Sequence, residues 1–268
     1  MSLHALEPGK TAPLHDRDAA PPKDLPAGEE LEQEMAELAG RMDELATALY
    51  AEGRRSLLVV IQARDAGGKD GTVRKVFRAV SPQFLQVTEF GRPTAEELSH
   101  DFLWRVHSKV PPYGHVGVFT RSHYEDVLVV RVRELAAERV WKARYEQIND
   151  FEKMLTQNGV TLLKLFLHVS REEQTRRYRK RLAKPEKMWK FDPGDLDDTA
   201  HWDGYTEAYR DVFEKCGTEH APWYVVPADD KDARNLLVAR LTVKTLERMD
   251  PQYPAPEFDV EEMLKRIG

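Results

Sequence analysis

The stretch Leu57-Leu58-Val59-Val60-Ile61-Gln62-Ala63-Arg64-Asp65-Ala66-Gly67-Gly68-Lys69-Asp70-Gly71-Thr72 decides the fold. Residues 57–61 form a short, wholly apolar run, which suits a strand buried on both faces of a parallel sheet. A Gly-rich turn follows at once. From Thr72 to Val80 the apolar residues Val73, Val76, Phe77 and Val80 fall on one helical face. The order buried strand, Gly-rich turn, Lys, helix is the context of a phosphate-binding loop. Glycines let backbone N–H groups turn toward phosphate oxygens, the helix N-terminus adds a favourable dipole, and Lys69 adds a full charge.

Outward from this unit the strand signature recurs at residues 115–119, 162–169 and 223–226, with a weaker candidate at 86–90. Helical patterns lie at about 29–52, 95–107, 123–156, 171–184 and 231–248. In the first of these, Leu31, Met35, Leu38, Met42 and Leu45 step by 4, 3, 4, 3 and form one stripe, with Gly53 as the stop. That stripe packs on a core or, alternatively, on a second copy. Alternating strands and helices predict an α/β fold: a parallel sheet of about five strands flanked by helices, with ligands at the carboxyl ends of the strands. Residues 1–28 carry Pro8, Pro13, Pro21, Pro22 and Pro26 without apolar periodicity and read as a loose, flexible N-terminal arm. Residues 29–268 read as a single domain.

Composition narrows the function classes. Of 268 residues 41% are apolar and 32% charged, a globular balance. The net charge of −6 argues against a general nucleic-acid binder. No apolar run reaches the roughly 18 residues of a membrane span, no signal-peptide pattern opens the chain, and a lone Cys216 excludes an internal disulfide. Cytoplasmic location is the expectation. Against the acidic total, residues 171–190 hold nine Lys/Arg and three Glu, a local basic strip suited to a specific anion. Within it Arg177 is a candidate phosphate contact. Arg74, Lys75 and Arg78 form a second basic patch.

The loop departs from the ATP-binding pattern. Ala63 stands where the first glycine would be, and Asp70 follows Lys69 where a Ser or Thr would hold magnesium. Asp65 places a carboxylate where phosphate is expected, which makes sense if it binds Mg²⁺ or orients a nucleophile. Thr120-Arg121-Ser122-His123-Tyr124-Glu125-Asp126 follows the third strong strand and brings Arg121, Glu125 and Asp126 to a carboxyl strand end. Ser122 and Glu125 also have the spacing of a capping box. Of Arg131 and Arg133, two apart and unable to share a helix face, Arg133 is assigned to phosphate.

Five segments in order resemble the family 2 polyphosphate kinases: residues 64–71 of the loop, 93–105, 114–127, 189–193 and 221–231. The resemblance spans about residues 29–250. It implies a P-loop-kinase-like fold with a helical lid at about 171–200, Mg²⁺ dependence and homo-oligomers, dimers or tetramers. It also implies transfer of the terminal phosphoryl group of inorganic polyphosphate to a nucleoside mono- or diphosphate. By that resemblance Asp65, Lys69 and Arg121 are catalytic, with Asp65 the metal ligand. Arg64, Gly67, Gly68 and Gly71 join the basic residues on phosphate, and Glu125, Asp126, Lys187, Trp189 and Lys190 contact nucleotide. The residues at 122–127 look like those of members accepting both AMP and ADP. Thr120 departs from relatives that often carry Asp or Asn there, which shifts the metal role to Asp65 and Glu125. The alternative on the same fold is an ATP-dependent nucleotide kinase.

Overall fold

A computed structural model describes residues 3–189 and 191–268. Its centre is a five-stranded, all-parallel sheet in the order β2-β3-β1-β4-β5, with β1 Ser56–Ala63, β2 Leu85–Glu89, β3 Val116–Thr120, β4 Val160–His168 and β5 Trp223–Pro227. Every residue of β1 is buried, as its unbroken apolar run requires. Alternation splits the strand between two cores. Leu57, Val59 and Ile61 pack with helices α1 (Glu29–Glu52) and α11 (Lys231–Met249) on one face. Leu58 and Val60 pack on the other face with α6 (Glu138–Gln157) and α10 (Trp202–Cys216). The result is the expected three-layer α/β arrangement. The stripe of α1 faces its own core: Met35, Met42 and Leu45 are buried there with Leu31 and Leu38 against it. Gly53 ends the helix, its N–H donating to Leu49 O.

The remaining helices are α2 (Lys69–Val76), α3 (Ala95–Leu98), α4 (Trp104–His107), α5 (Val129–Val132), α7 (Arg171–Leu182), α8 (Pro185–Met188), α9 (Gly194–Ala200) and α12 (Val260–Ile267). Three sequence expectations need correction. The 95–107 helix is two single turns, because the Asp101 carboxylate accepts from the N–H groups of Leu103 and Trp104 and starts a new turn. The 123–156 helix is a 3₁₀ turn at His123–Asp126, then α5, then α6, with Glu134 in the left-handed region (φ 52°) after α5. Helix α10 was not expected, although Trp202, Tyr209, Val212, Phe213 and Cys216 are its buried face.

The N-terminal residues lie on this same body. Leu6 N–H donates to Trp223 O at 2.8 Å, His168 Nε2 donates to His15 O at 2.9 Å, and Ala12, Leu14 and Ala19 are buried. Among the described residues no helix is long and apolar enough to cross a membrane.

Candidate active site

The chain leaves β1 to the β2–β3 side of the sheet and returns to β4 on the other, so a crevice opens above the carboxyl ends of β1, β3 and β4. The Gly-rich turn fills its floor. Gly68 caps α2 in the left-handed region (φ 100°), and a Cβ there would lie 2.0 Å from Arg234 Nη1. At Gly67 a Cβ would lie 2.6 Å from Ala63 Cβ and 2.9 Å from Arg64 O. At Gly71 it would meet nothing closer than 3.5 Å. We therefore expect Gly68→Ala to lower kcat/KM by roughly tenfold or more, since both backbone strain and a displaced guanidinium act on the turn. Gly71→Ala is expected to fold at least as stably as the parent, gaining up to ~1 kcal/mol from helix propensity. Paired denaturant titrations and turnover assays check the contrast.

A cavity of about 80 Å³ opens over the turn, and its charged lining comprises Arg64, Asp65, Lys69, Arg121 and Glu125. Two non-glycine residues beside it sit in the left-handed region, Ala66 (φ 56°) and Arg121 (φ 63°). Such conformations persist where surrounding structure enforces them, and they concentrate at functional sites. Arg121 N–H donates to Ile61 O at 3.2 Å, tying the end of β3 to β1. The Gln62 amide, buried in β1, donates to Glu125 Oε1 at 3.1 Å and accepts from the Ser122 N–H at 3.1 Å. Ser122 Oγ caps Tyr124 N–H and the Ser122 N–H goes to Gln62, so Ser122 and Glu125 form no capping box and the Glu125 carboxylate lines the cavity.

Three cations and two carboxylates share the cavity. Burial, and next Arg121, hold Lys69 below its ordinary lysine value, while Asp65, Glu125 and Asp70 pull the other way. Burial pushes Glu125 above the ordinary carboxylate value against Lys69 and Arg121. Lys69 Nζ donates to Ala63 O at 3.1 Å. Asp65 Oδ2 lies 3.3 Å from Arg181 Nη1, and Gln174 Nε2 donates to its backbone carbonyl at 2.9 Å. Arg64 stacks on Trp202, its guanidinium carbon 3.9 Å from the ring centroid, and donates to Trp202 O and Thr206 Oγ1. Burial lowers its value to about 10.

The structure thus brings Asp65, Lys69, Arg121, Glu125 and Arg64 into one cavity. Other candidate residues are elsewhere. Asp126 turns away, accepting from Arg144 Nη1 at 2.9 Å. Arg177 donates to Ala66 O at 2.8 Å, to Asp229 O and Ala228 O, and to Glu173 Oε1, so it clasps the loop backbone. Arg74, Lys75 and Arg78 are exposed on and just after α2. Arg133 Nη2 donates to Gly194 O at 3.1 Å. Lys187 and Trp189 are exposed at α8, and Lys190 lies outside the described residues. Sequence reasoning missed Gln174, Arg181, Trp202, Tyr205 and Tyr209. The last three share a helical face readable from their spacing of three and four.

Behind the cavity wall lies a fully buried ionic cluster. Lys164 Nζ donates to Glu152 Oε2 at 2.6 Å, Tyr124 OH at 2.8 Å and Cys216 O at 2.7 Å. Glu152 Oε1 also accepts from Tyr124 OH at 2.7 Å and pairs with His123 Nε2 at 3.1 Å. His123 and Tyr124 separate Arg121 from Glu125 in the chain, so this cluster fixes the backbone that presents both.

Asp65 and Glu125 are the two acidic side chains of the cavity, and among the described residues no group of three or more His, Cys, Asp or Glu is arranged to hold a metal. This donor set fits Mg²⁺, which takes one or two carboxylates and completes its shell with water and substrate phosphate. It does not fit a metal needing a full protein cage.

Residues 27–254 match the sequence model of the polyphosphate kinase 2 family. The chain belongs to the polyphosphate kinase 2 family. Similar proteins bear this out. An AMP/ADP-polyphosphate phosphotransferase of Meiothermus ruber is 51% identical over 230 residues, 86% of each chain. An ADP-polyphosphate phosphotransferase of Rhodopseudomonas palustris is 42% identical, over 80% of this chain and 78% of that one. The crystal structure of polyphosphate kinase 2 from Arthrobacter aurescens superposes with a TM-score of 0.90 at 38% identity, covering 99% of this chain and 98% of that one. The polyphosphate kinase 2 fold therefore extends over the N-terminal residues as well as the sheet.

Proposed function

We propose that this chain is a polyphosphate-dependent nucleotide kinase, transferring the terminal phosphoryl group of inorganic polyphosphate to AMP and ADP, and to related nucleoside mono- and diphosphates, reversibly. Family membership supports the donor, and the 51% identical AMP/ADP-polyphosphate phosphotransferase supports the acceptors. The observation that carries the chemistry is the convergence of a loop carboxylate, Asp65, with Lys69, Arg121 and Glu125 in one cavity.

In the reaction an acceptor phosphate oxygen attacks the terminal phosphorus, and the bond to the bridging oxygen breaks on the opposite side. The released donor is one unit shorter. The attacking oxygen already carries negative charge, so no strong base is needed. Lys69 and Arg121 would neutralise the transferring group, and the N-terminus of α2 would add its dipole. Asp65, with Glu125 beside it, would hold Mg²⁺, which supplies neutralisation of the phosphate oxygens when bound. Helix α7 fastens to the loop through Gln174, Arg177 and Arg181, and with α8 and α9 would form a lid that excludes water. Lys187, Trp189 and Lys190 would face nucleotide there. The exposed patch of Arg74, Lys75 and Arg78 would attract the polyanion, and a homo-oligomer, dimer or tetramer, is the expected assembly. The unpaired Cys216 supports a reducing, cytoplasmic setting.

The test offers AMP or ADP with polyphosphate or ATP as the sole donor. Product formation with polyphosphate, with a KM for polyphosphate that climbs steeply with salt, is the expected result. Turnover with ATP alone would identify an ATP-dependent kinase. Tight polyphosphate binding without turnover from any donor would identify a binding module.

A further inference from the structure

A second group of cations lies against the Gly-rich turn outside the Asp65 cavity. Arg234 comes from the first turn of α11, directly after β5. Its side chain spans the first turn of α2: Nη1 sits where a Cβ of Gly68 would be, and Nη2 is 3.5 Å from the Cβ position of Gly71. Arg177 Nη1 is 3.5 Å from the same Gly68 position. Two guanidiniums therefore converge on one glycine at a helix N-terminus, whose first N–H groups have no intrahelical partner.

Arg234 is only 3% exposed. Its hydrogen bonds run to Asn235 Oδ1 alone, and among the described residues it forms no ion pair with a carboxylate. Asp232 and Asp230 are the nearest acids on its N-terminal side and favour its charge from a distance, but neither pairs with it, and Asp230 caps α11, accepting from Asp232 and Ala233 N–H. Arg177 does have a carboxylate partner, Glu173, which it shares with Arg176. Burial, then Arg177, lowers Arg234 to about 10. Lys231 lies one turn before Arg234 on α11 and Lys180 one turn after Arg177 on α7, both exposed, so a third and a fourth cation extend the group to the surface; burial and then Lys180, Arg177 and Arg234 lower Lys231. A buried guanidinium without a carboxylate, beside like charges, is costly unless an anion enters. Holding the loop does not require it, because Arg177 already bonds the loop carbonyl of Ala66.

We infer that Arg234, together with Arg177, Lys180 and Lys231, forms a subsite for a phosphate unit of the polyphosphate donor, lying across the first turn of α2. This rests on the polyphosphate reading above. It gives the donor a path over Gly68 and along the β5–α11 corner, distinct from the exposed patch of Arg74, Lys75 and Arg78. The glycine at 68 then serves two ends: it frees the turn and leaves room for the guanidinium that meets the donor.

The test compares Arg234→Gln and the surface double variant Lys180→Gln/Lys231→Gln with the parent enzyme. Arg234→Gln is expected to raise KM for polyphosphate roughly tenfold or more, and the double variant several-fold, with KM for AMP within about twofold of the parent in both. Equal rises in both KM values, a fall in kcat alone, or an unchanged KM for polyphosphate in either variant would overturn the subsite. Should Arg234→Gln fail to fold, the double variant carries the same readout alone. Should the parent show no polyphosphate-dependent turnover, the proposed function fails. Equilibrium binding of polyphosphate to parent and variants then decides the subsite separately, weaker binding supporting it and equal binding overturning it.

Discussion

Replacing Asp65 by Asn is expected to lower kcat by roughly 10²- to 10⁴-fold while leaving the fold intact, the range seen when a metal-borne or electrostatic stabiliser of a transition state is lost. Asn preserves the shape of the side chain and its place after β1, and removes only the charge. Folding should survive because the Asp65 carboxylate is 22% exposed and its pairing with Arg181 is long, 3.3 Å. An ion pair of that kind contributes on the order of 1 kcal/mol or less. The Gln174 bond goes to the backbone carbonyl and is untouched.

Two roles for Asp65 give different outcomes. If its charge acts at the transfer point, Asp65→Asn loses kcat and needs more Mg²⁺ for half-maximal rate. Arg181→Gln, which leaves the carboxylate in place, should then cost far less. If Asp65 serves only to fasten α7 through Arg181, the two variants should be equally impaired and the double variant no worse than either. Near-normal turnover in Asp65→Asn, with polyphosphate and AMP, would end the assignment of Asp65 to the reaction.

Local pattern made part of this site readable in advance, and tertiary packing hid the rest. The unbroken run at residues 57–61 announced a strand covered on both faces, and the turn after it announced the floor of the cavity. Arg121 and Glu125 were legible because they follow a second strand of the same kind, and parallel strands bring their carboxyl ends together. Arg177 was read as a phosphate contact from its place in a basic strip, yet four of its bonds hold protein atoms. Charge counts along a sequence do not separate a cation that waits for a ligand from one already committed to a carbonyl. Arg234 shows the reverse. It lies in the polar first turn of α11, between Asp230, Lys231 and Asp232 on one side and Asn235 on the other, and nothing local distinguishes it, but the fold carries it onto Gly68. Trp202, Tyr205 and Tyr209 had a helical spacing. The surrounding run of acidic residues, interrupted by Gly204, obscured the helix that carries them.

The buried cluster behind the cavity was the least legible feature, and it carries the second large prediction. Lys164 occupies the middle of a strand that otherwise reads as apolar, opposite Val60, and Glu152 lies on α6. Neither residue is exposed at all. Removing one partner leaves the other charge buried and uncompensated, which typically costs about 3–5 kcal/mol. Native domains have only about 5–15 kcal/mol in hand, so Lys164→Met should bring the protein close to unfolding at ordinary temperature. Lys164→Met/Glu152→Leu removes both charges and should recover a substantial part of the loss. Urea titrations of the three proteins measure this; a single variant within about 1 kcal/mol of the parent would contradict it.

The pH dependence gives an independent check. Burial alone would raise Glu152, but Lys164 and His123 outweigh it and hold the carboxyl below its ordinary value of 4.5. A lowered carboxyl contributes stability that is complete above the unfolded value and is lost as pH falls through the folded one. In Lys164→Met the dominant opposing charge is gone and burial drives Glu152 upward instead. The native state then binds more protons than the unfolded chain, so stability declines as pH rises. The gap between parent and Lys164→Met should therefore widen from about pH 5 to about pH 7. A function follows from the same contacts. Because Glu152 and Lys164 grip Tyr124, and Glu152 also grips His123, the double variant that regains stability should still present Arg121 and Glu125 less firmly. Its kcat should then stay below that of the parent even where its folded fraction matches, which separates the positioning of the transfer site from the stability of the sheet beneath it.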